Sequence, residues 1–152
     1  MKRILIAMDF SPVTARLVEV ALSLCADREA RVLLVHVADP EPDFVGYRPG
    51  PQTVRDTVAE ELREEQQALR DWEHKLRDQG LAVEGRCIQG IVVETLLAEA
   101  EKFDAELIVM GSHGHGALRH LLLGSVSEAM LKKSHIPLLV VPLPREVEDE
   151  ER

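Results

Sequence analysis

The stretch "VMGSHGHGALRHLLLGSVSEAML", residues 109–131, decides how the chain folds. It opens as an apolar run and ends with the three- and four-residue spacing of an amphipathic helix. Between the two stand Gly111, Gly114, Gly116 and Gly124, four of the chain's nine glycines. A glycine lets backbone approach a bulky ligand because no Cβ intervenes. Gly124 is followed by Ser125, with Glu128 three residues further on, the spacing expected of a capping box at a helix start. Such a start offers unpaired N–H groups and the positive end of the helix dipole, which together suit phosphate. The hydroxyls of Ser125 and Ser127 are candidate further donors. The spacing is not GxxxxGK[ST], since no Lys follows Gly124, and it is not GxGxxG. The plainer alternative is a turn whose glycines serve only the backbone.

Outward from this stretch, the same alternation recurs. Apolar runs stand at 3–8, 31–37, 82–88, 106–111 and 136–141. Three are almost unbroken Val, Ile and Leu, as expected of parallel strands covered on both faces. The run at 82–88 alternates and belongs nearer an edge. Helical periods fill 12–27, 52–79, 91–103 and 125–133. The order β-α-β-α-β-α-β-α-β predicts a doubly wound α/β domain. In such a sheet ligands bind beyond the carboxyl ends of the strands. There the chain places "AMDFSP" (7–12), "HVAD" (36–39) and the glycine stretch. Ser11 suits the N-cap of the first helix and Pro12 its first position. The Pro- and Gly-containing segment 39–52 reads as a long loop, and 144–152 as an acidic, disordered tail after one domain spanning 1–143.

Composition excludes several classes of function. The 152 residues carry a net charge of -9 and only 3% aromatics, which speaks against nucleic acid as a partner. No apolar run is long enough to span a bilayer, and "MKRILIAMDF" reads as a first strand rather than a signal peptide, so a cytoplasmic protein is expected. Cys25 and Cys87 have no metal or CxxC spacing and read as buried free thiols. His113, His115 and His120 match no zinc motif and read as surface or phosphate-facing groups. His36 reads as a core or site-edge histidine, His74 as solvated and His135 as a turn residue. Arg119 is equally a phosphate counter-ion or an exposed charge. Trp72 falls on the apolar stripe of its helix and reads as core. Asp9 is the acidic group expected in the site, with capping of the first helix as its simpler role.

Gly111, Gly114, Gly124 and Ser125 also fit the pattern G-x2-G-x9-G-[ST], which resembles the ATP-binding loop of the universal stress protein family. The resemblance extends through "ILIAMDFSP", "LLVHV", "LIVMGSHG", "LLLGSVSE" and "IPLLVVP". It implies a Rossmann-like, adenine nucleotide alpha hydrolase-like fold with five parallel strands in the order 3-2-1-4-5. It implies ATP, or ADP or AMP, as ligand, with Ala7 and Asp9 on the adenosine side and the Val37 backbone at adenine. Met110 and Gly111 would flank the ribose, and Gly114, Gly124, Ser125, Val126 and Ser127 would hold the phosphates. Asp9 would reach a ribose hydroxyl or a water on Mg2+. The resemblance further implies a homodimer through the last strand (136–142), a role in the stress response and a protein partner of unknown identity. His115 stands where relatives often carry a basic residue. Two other readings stand beside this one: a slow ATPase or adenylyl-transferring enzyme, and a dimeric interaction module indifferent to nucleotide.

Overall fold

The computed structural model describes residues 2–25, 29–40, 52–112 and 123–142. Nine elements alternate: β1 (Arg3–Ala7), α1 (Thr14–Leu24), β2 (Arg31–Ala38), α2 (Gln52–Asp78), β3 (Ala82–Gln89), α3 (Val92–Lys102), β4 (Leu107–Gly111), α4 (Ser125–Lys133) and β5 (Leu138–Val141). The five strands form one parallel sheet in the order β3-β2-β1-β4-β5, as the resemblance implied. Every expected strand and helix is present, with ends displaced by at most three residues. The last strand starts at Leu138 rather than Ile136, just past Pro137, whose nitrogen has no hydrogen to donate.

Strand order explains the sequence pattern. The central strands β1, β2 and β4 are covered on both faces, so Leu5, Leu33, Leu34, Ile108 and Val109 are sealed from solvent. One core lies under α1 and α2 and is built on Ile4, Ile6, Val32, Leu34 and Val109. The other lies under α3 and α4 and is built on Leu5, Leu33, Val35, Ile108 and Met130. β3 is an edge strand, and its alternation has a use: Val83 turns to the core while Arg86 reaches Glu99 of α3 at 2.7 Å. α2 spans 27 residues, yet only Leu69 and Leu76 are buried. Trp72 packs on the core under α1 and α2, whereas Val54 near the start of α2 is exposed. Close packing of α2 on β3 is set at Gly85, where a Cβ would stand 3.3 Å from Leu69 Cγ.

At the β1–α1 connection the structure departs from expectation. Ser11 is not the helix N-cap: Val13 holds that position and the helix starts at Thr14. No side chain caps α1; Asp9 instead accepts a hydrogen bond at Oδ1 from the Ser11 N–H at 2.9 Å, ahead of the helix. This local carboxylate turn places Ser11 and Pro12 ahead of the helix, closed by Thr14 N–H to the Ser11 carbonyl at 3.0 Å.

Candidate functional site

The strand order reverses between β1 and β4, because β1 leads to β2 on one side and β4 to β5 on the other. Beyond the carboxyl ends of these strands lie Ala7–Met8–Asp9, Met110–Gly111–Ser112 and the start of α4. This is the expected crevice of an open parallel sheet. Ala7, Val37 and Met110 belong to the same face, the one covered by α3 and α4. The sequence-selected residues among those described therefore gather at one end of the sheet. Gly114 and Gly116, with His113, His115, Arg119 and His120, lie outside the described residues, as do 41–51 and the tail.

The ends of the glycine stretch are tied together. The Gly124 N–H donates to the Ser112 carbonyl at 2.7 Å, and the Ser112 N–H donates to the Val141 carbonyl at 2.9 Å. The Ser127 hydroxyl lies 2.9 Å from the Gly111 carbonyl oxygen and 3.0 Å from that of Ser112. Ser127 is thus a buried clamp on the loop stem, and its hydroxyl is already committed to carbonyl oxygens. Its backbone N–H, with those of Ser125 and Val126, has no acceptor inside the helix, whose first internal bond runs from Glu128 N–H to the Gly124 carbonyl. Three donors without a helical acceptor and the positive end of α4 therefore stand beside the end of β4.

The capping box does not form. Gly124 occupies the N-cap with φ -75° and ψ 164°, and no side chain caps the helix. The bond from Gly124 to Ser112 starts the helix there, so Ser125 becomes its exposed first residue. Glu128 pairs instead with Lys132 at 2.8 Å, and that hydrogen bond holds its carboxyl below the ordinary value.

On the other side of the crevice, the Asp9 carboxylate accepts at Oδ1 from Ser11 N–H and, at 3.4 Å, from Thr14 Oγ1. Oδ2 has no hydrogen bond among the described residues. The next residue, Phe10, adopts φ 56°, a left-handed conformation that a bulky side chain seldom takes. The Ser11 hydroxyl is buried without a hydrogen-bond partner among the described residues.

Val37 owes its place to ladder geometry. The Met8 N–H donates to the Val35 carbonyl at 2.8 Å, so the backbone groups of Val35 point toward β1. The residue two further along a strand points the same way. Val37 thus turns its N–H and carbonyl toward the β1 side, beyond the last β1–β2 pair, Ala7 with Val35.

The universal stress protein family model matches residues 1–142. The chain belongs to that family. A universal stress protein of Methanocaldococcus jannaschii is 33% identical over 145 residues, covering 95% of this chain and 84% of the relative. The solved structure of the hypothetical protein MJ0577 superposes with a TM-score of 0.79 at 30% identity, covering 95% of this chain and 98% of the other. Two more distant solved members share the fold. One, in complex with cAMP, has a TM-score of 0.62 at 21% identity over 93% of this chain and 96% of its own. The other, from Archaeoglobus fulgidus in complex with dAMP, has a TM-score of 0.63 at 20% identity over 92% of this chain and 97% of its own.

Sequence reasoning missed Ser112 and Met8. Both act through backbone carbonyls, which any residue type supplies, so no signal in the sequence marks them. His74, read as solvated, is exposed; His135, read as a turn residue, lies exposed in the connection between α4 and β5; and the described cysteines are free, Cys25 buried and Cys87 half-buried. Burial pushes both thiols up. Among the described residues no group of three His, Cys, Asp or Glu is arranged to hold a metal, and no helix is long and apolar enough to cross a membrane.

Proposed function

We propose that the chain is an ATP-binding regulatory protein of the stress response, with the adenosine between Ala7, Asp9, Val37, Met110 and Gly111. The phosphates lie on the glycine loop and the N–H groups of Ser125, Val126 and Ser127. The observation that carries this reading is the α4 start: three donors without helical acceptors, held beside β4 by the Gly124–Ser112 bond. The nucleotide complexes of the two distant members support the adenine class of ligand. A single carboxylate, Asp9, suits an Mg2+ ion whose other oxygens come from phosphate and water. Oδ1 of Asp9 is committed to the Ser11 turn, which favours a binding role over that of a catalytic base.

The protein acts in the cytoplasm as a homodimer through 136–142, where β5 leaves an edge of half-buried Leu138, Leu139 and Val140. Sedimentation at micromolar concentration checks this, with a monomer counting against it. The site itself is tested by calorimetric titration with Mg-ATP, ADP, AMP and cAMP, beside a folded Gly114→Val, Gly124→Val variant. Micromolar ATP binding that the variant loses is the expected result. Absence of heat from nucleotide-free wild-type protein at millimolar ATP would sink the reading.

A further inference from the structure

The least expected side chain near the crevice is His36. It is 8% exposed, on the face of β2 covered by α1 and α2, opposite the face that carries Val37. Its Nδ1 lies 2.7 Å from the Met8 carbonyl oxygen. A carbonyl only accepts, so Nδ1 carries the hydrogen. The other nitrogen, Nε2, is 3.3 Å from Glu65 Oε2 of α2 without the alignment of a hydrogen bond. The Phe10 ring packs on the imidazole with centroids 4.6 Å apart. One buried ring thus touches α2 and two residues flanking Asp9.

The Met8 carbonyl is the next acceptor in the β1–β2 ladder. With Met8 N–H on the Val35 carbonyl, a continuing parallel ladder would give the Met8 carbonyl to the Val37 N–H. The His36 side chain takes that acceptor instead. β1 then peels away into the Asp9–Phe10 turn, and the Val37 N–H is left toward the crevice.

We infer that His36 is a positioning residue for the nucleotide: by capturing the Met8 carbonyl it ends the ladder one step early, releases the Val37 backbone for the base and holds the Asp9 turn in place. This rests on the nucleotide reading above. Glu65 lies at the far side of the ring without a hydrogen bond to it, and burial raises the pKa of the Cys87 thiol, on the β3 residue paired with His36.

Asparagine places its amide nitrogen near where Nδ1 stands, whereas glutamine places it near Nε2, so the polar pair His36→Asn and His36→Gln separates donor position from polarity. ATP affinity of both folded variants is measured by calorimetry, and exchange of the Val37 amide is followed without ligand. The Asn variant is expected to bind within about threefold of wild type and the Gln variant about tenfold more weakly, the scale of one hydrogen bond. In the Gln variant the Val37 amide should exchange more slowly, because it closes onto Met8. Equal affinities for both variants, whether weak or wild-type, would overturn the inference and leave the nucleotide site standing. Wild-type protein that binds no nucleotide would overturn the site reading first, and this inference with it.

Discussion

The Ser127 hydroxyl sits 2.9 Å from the Gly111 carbonyl oxygen, so the helix that would receive phosphate is fastened to the strand that delivers the glycine loop. The same hydroxyl is 3.0 Å from the Ser112 carbonyl, which also accepts from Gly124 N–H. A loop whose two stems are clamped within one hydroxyl's reach needs less ordering on binding than one that is free at both ends.

Ser127→Ala and Ser125→Ala therefore separate two roles that the sequence shows as equivalent hydroxyls. Removing the buried Ser127 clamp leaves carbonyl oxygens short of a donor and is expected to cost about 1–3 kcal/mol in urea unfolding, together with weaker ATP binding. Ser125 is exposed, and its substitution is expected to change stability by less than about 0.5 kcal/mol while weakening ATP only. Equal stability losses would contradict the clamp.

Asp9→Asn isolates charge from turn geometry. The amide keeps an oxygen for Ser11 N–H and Thr14 Oγ1, so unfolding is expected to move by less than about 1 kcal/mol. The Mg2+-dependent part of ATP affinity should disappear. Asp9→Ala removes the acceptor as well and should lose about 1–3 kcal/mol of stability. Titrations with and without Mg2+ on each variant check this, and an Asn variant that keeps its Mg2+ dependence would remove Asp9 from the metal's reach.

The alternation of apolar runs and helical periods was enough to read α/β architecture, since buried parallel strands such as "ILIA" and "RVLLVHVA" show it in nearly continuous apolar runs. The order of the strands came from family likeness, because periodicity says which elements form but not which neighbours they choose. Helix starts misled by one or two residues where hydrogen bonds outside the helix decide them. Ser112 makes Gly124 the N-cap of α4, and the local Asp9–Ser11 turn leaves Val13 at the N-cap of α1. His36 could be placed near the site but not given work, because its partner is a backbone carbonyl on another strand.

Glu99 gives the fold an acid-sensitive point. Burial alone pushes its carboxyl up, but hydrogen bonds from Lys102 at 2.8 Å and Arg86 at 2.7 Å, with their charges, outweigh burial and hold it below the ordinary 4.5. The folded state thus binds this proton less readily than the unfolded chain. Its contribution is complete above pH 4.5 and is lost as pH falls through the lower folded value. Glu99→Gln should be less stable than wild type at neutral pH, by about 1–3 kcal/mol, and the gap should narrow below the ordinary value. A gap that stays constant across acid unfolding curves would show that the triad contributes no pH dependence.

Gly90 closes β3 under a steric constraint visible only in three dimensions. Its N–H donates to the Ala38 carbonyl at 3.1 Å, and a Cβ built on it would stand 2.7 Å from Thr95 Oγ1 in α3. Real Cβ atoms do not come so close, so Gly90→Ala must displace Thr95 or the start of α3, at a cost of about 1–3 kcal/mol. Thr95→Ala removes the obstructing hydroxyl and is expected to cost less than about 1 kcal/mol at this half-buried position. The double variant should then be more stable than the sum of the single effects predicts, by about 1 kcal/mol or more, because the two changes share one contact. Urea midpoints of the four proteins complete the cycle. Strict additivity would mean that Gly90 is required by the backbone of the β3–α3 turn and not by the side chain facing it.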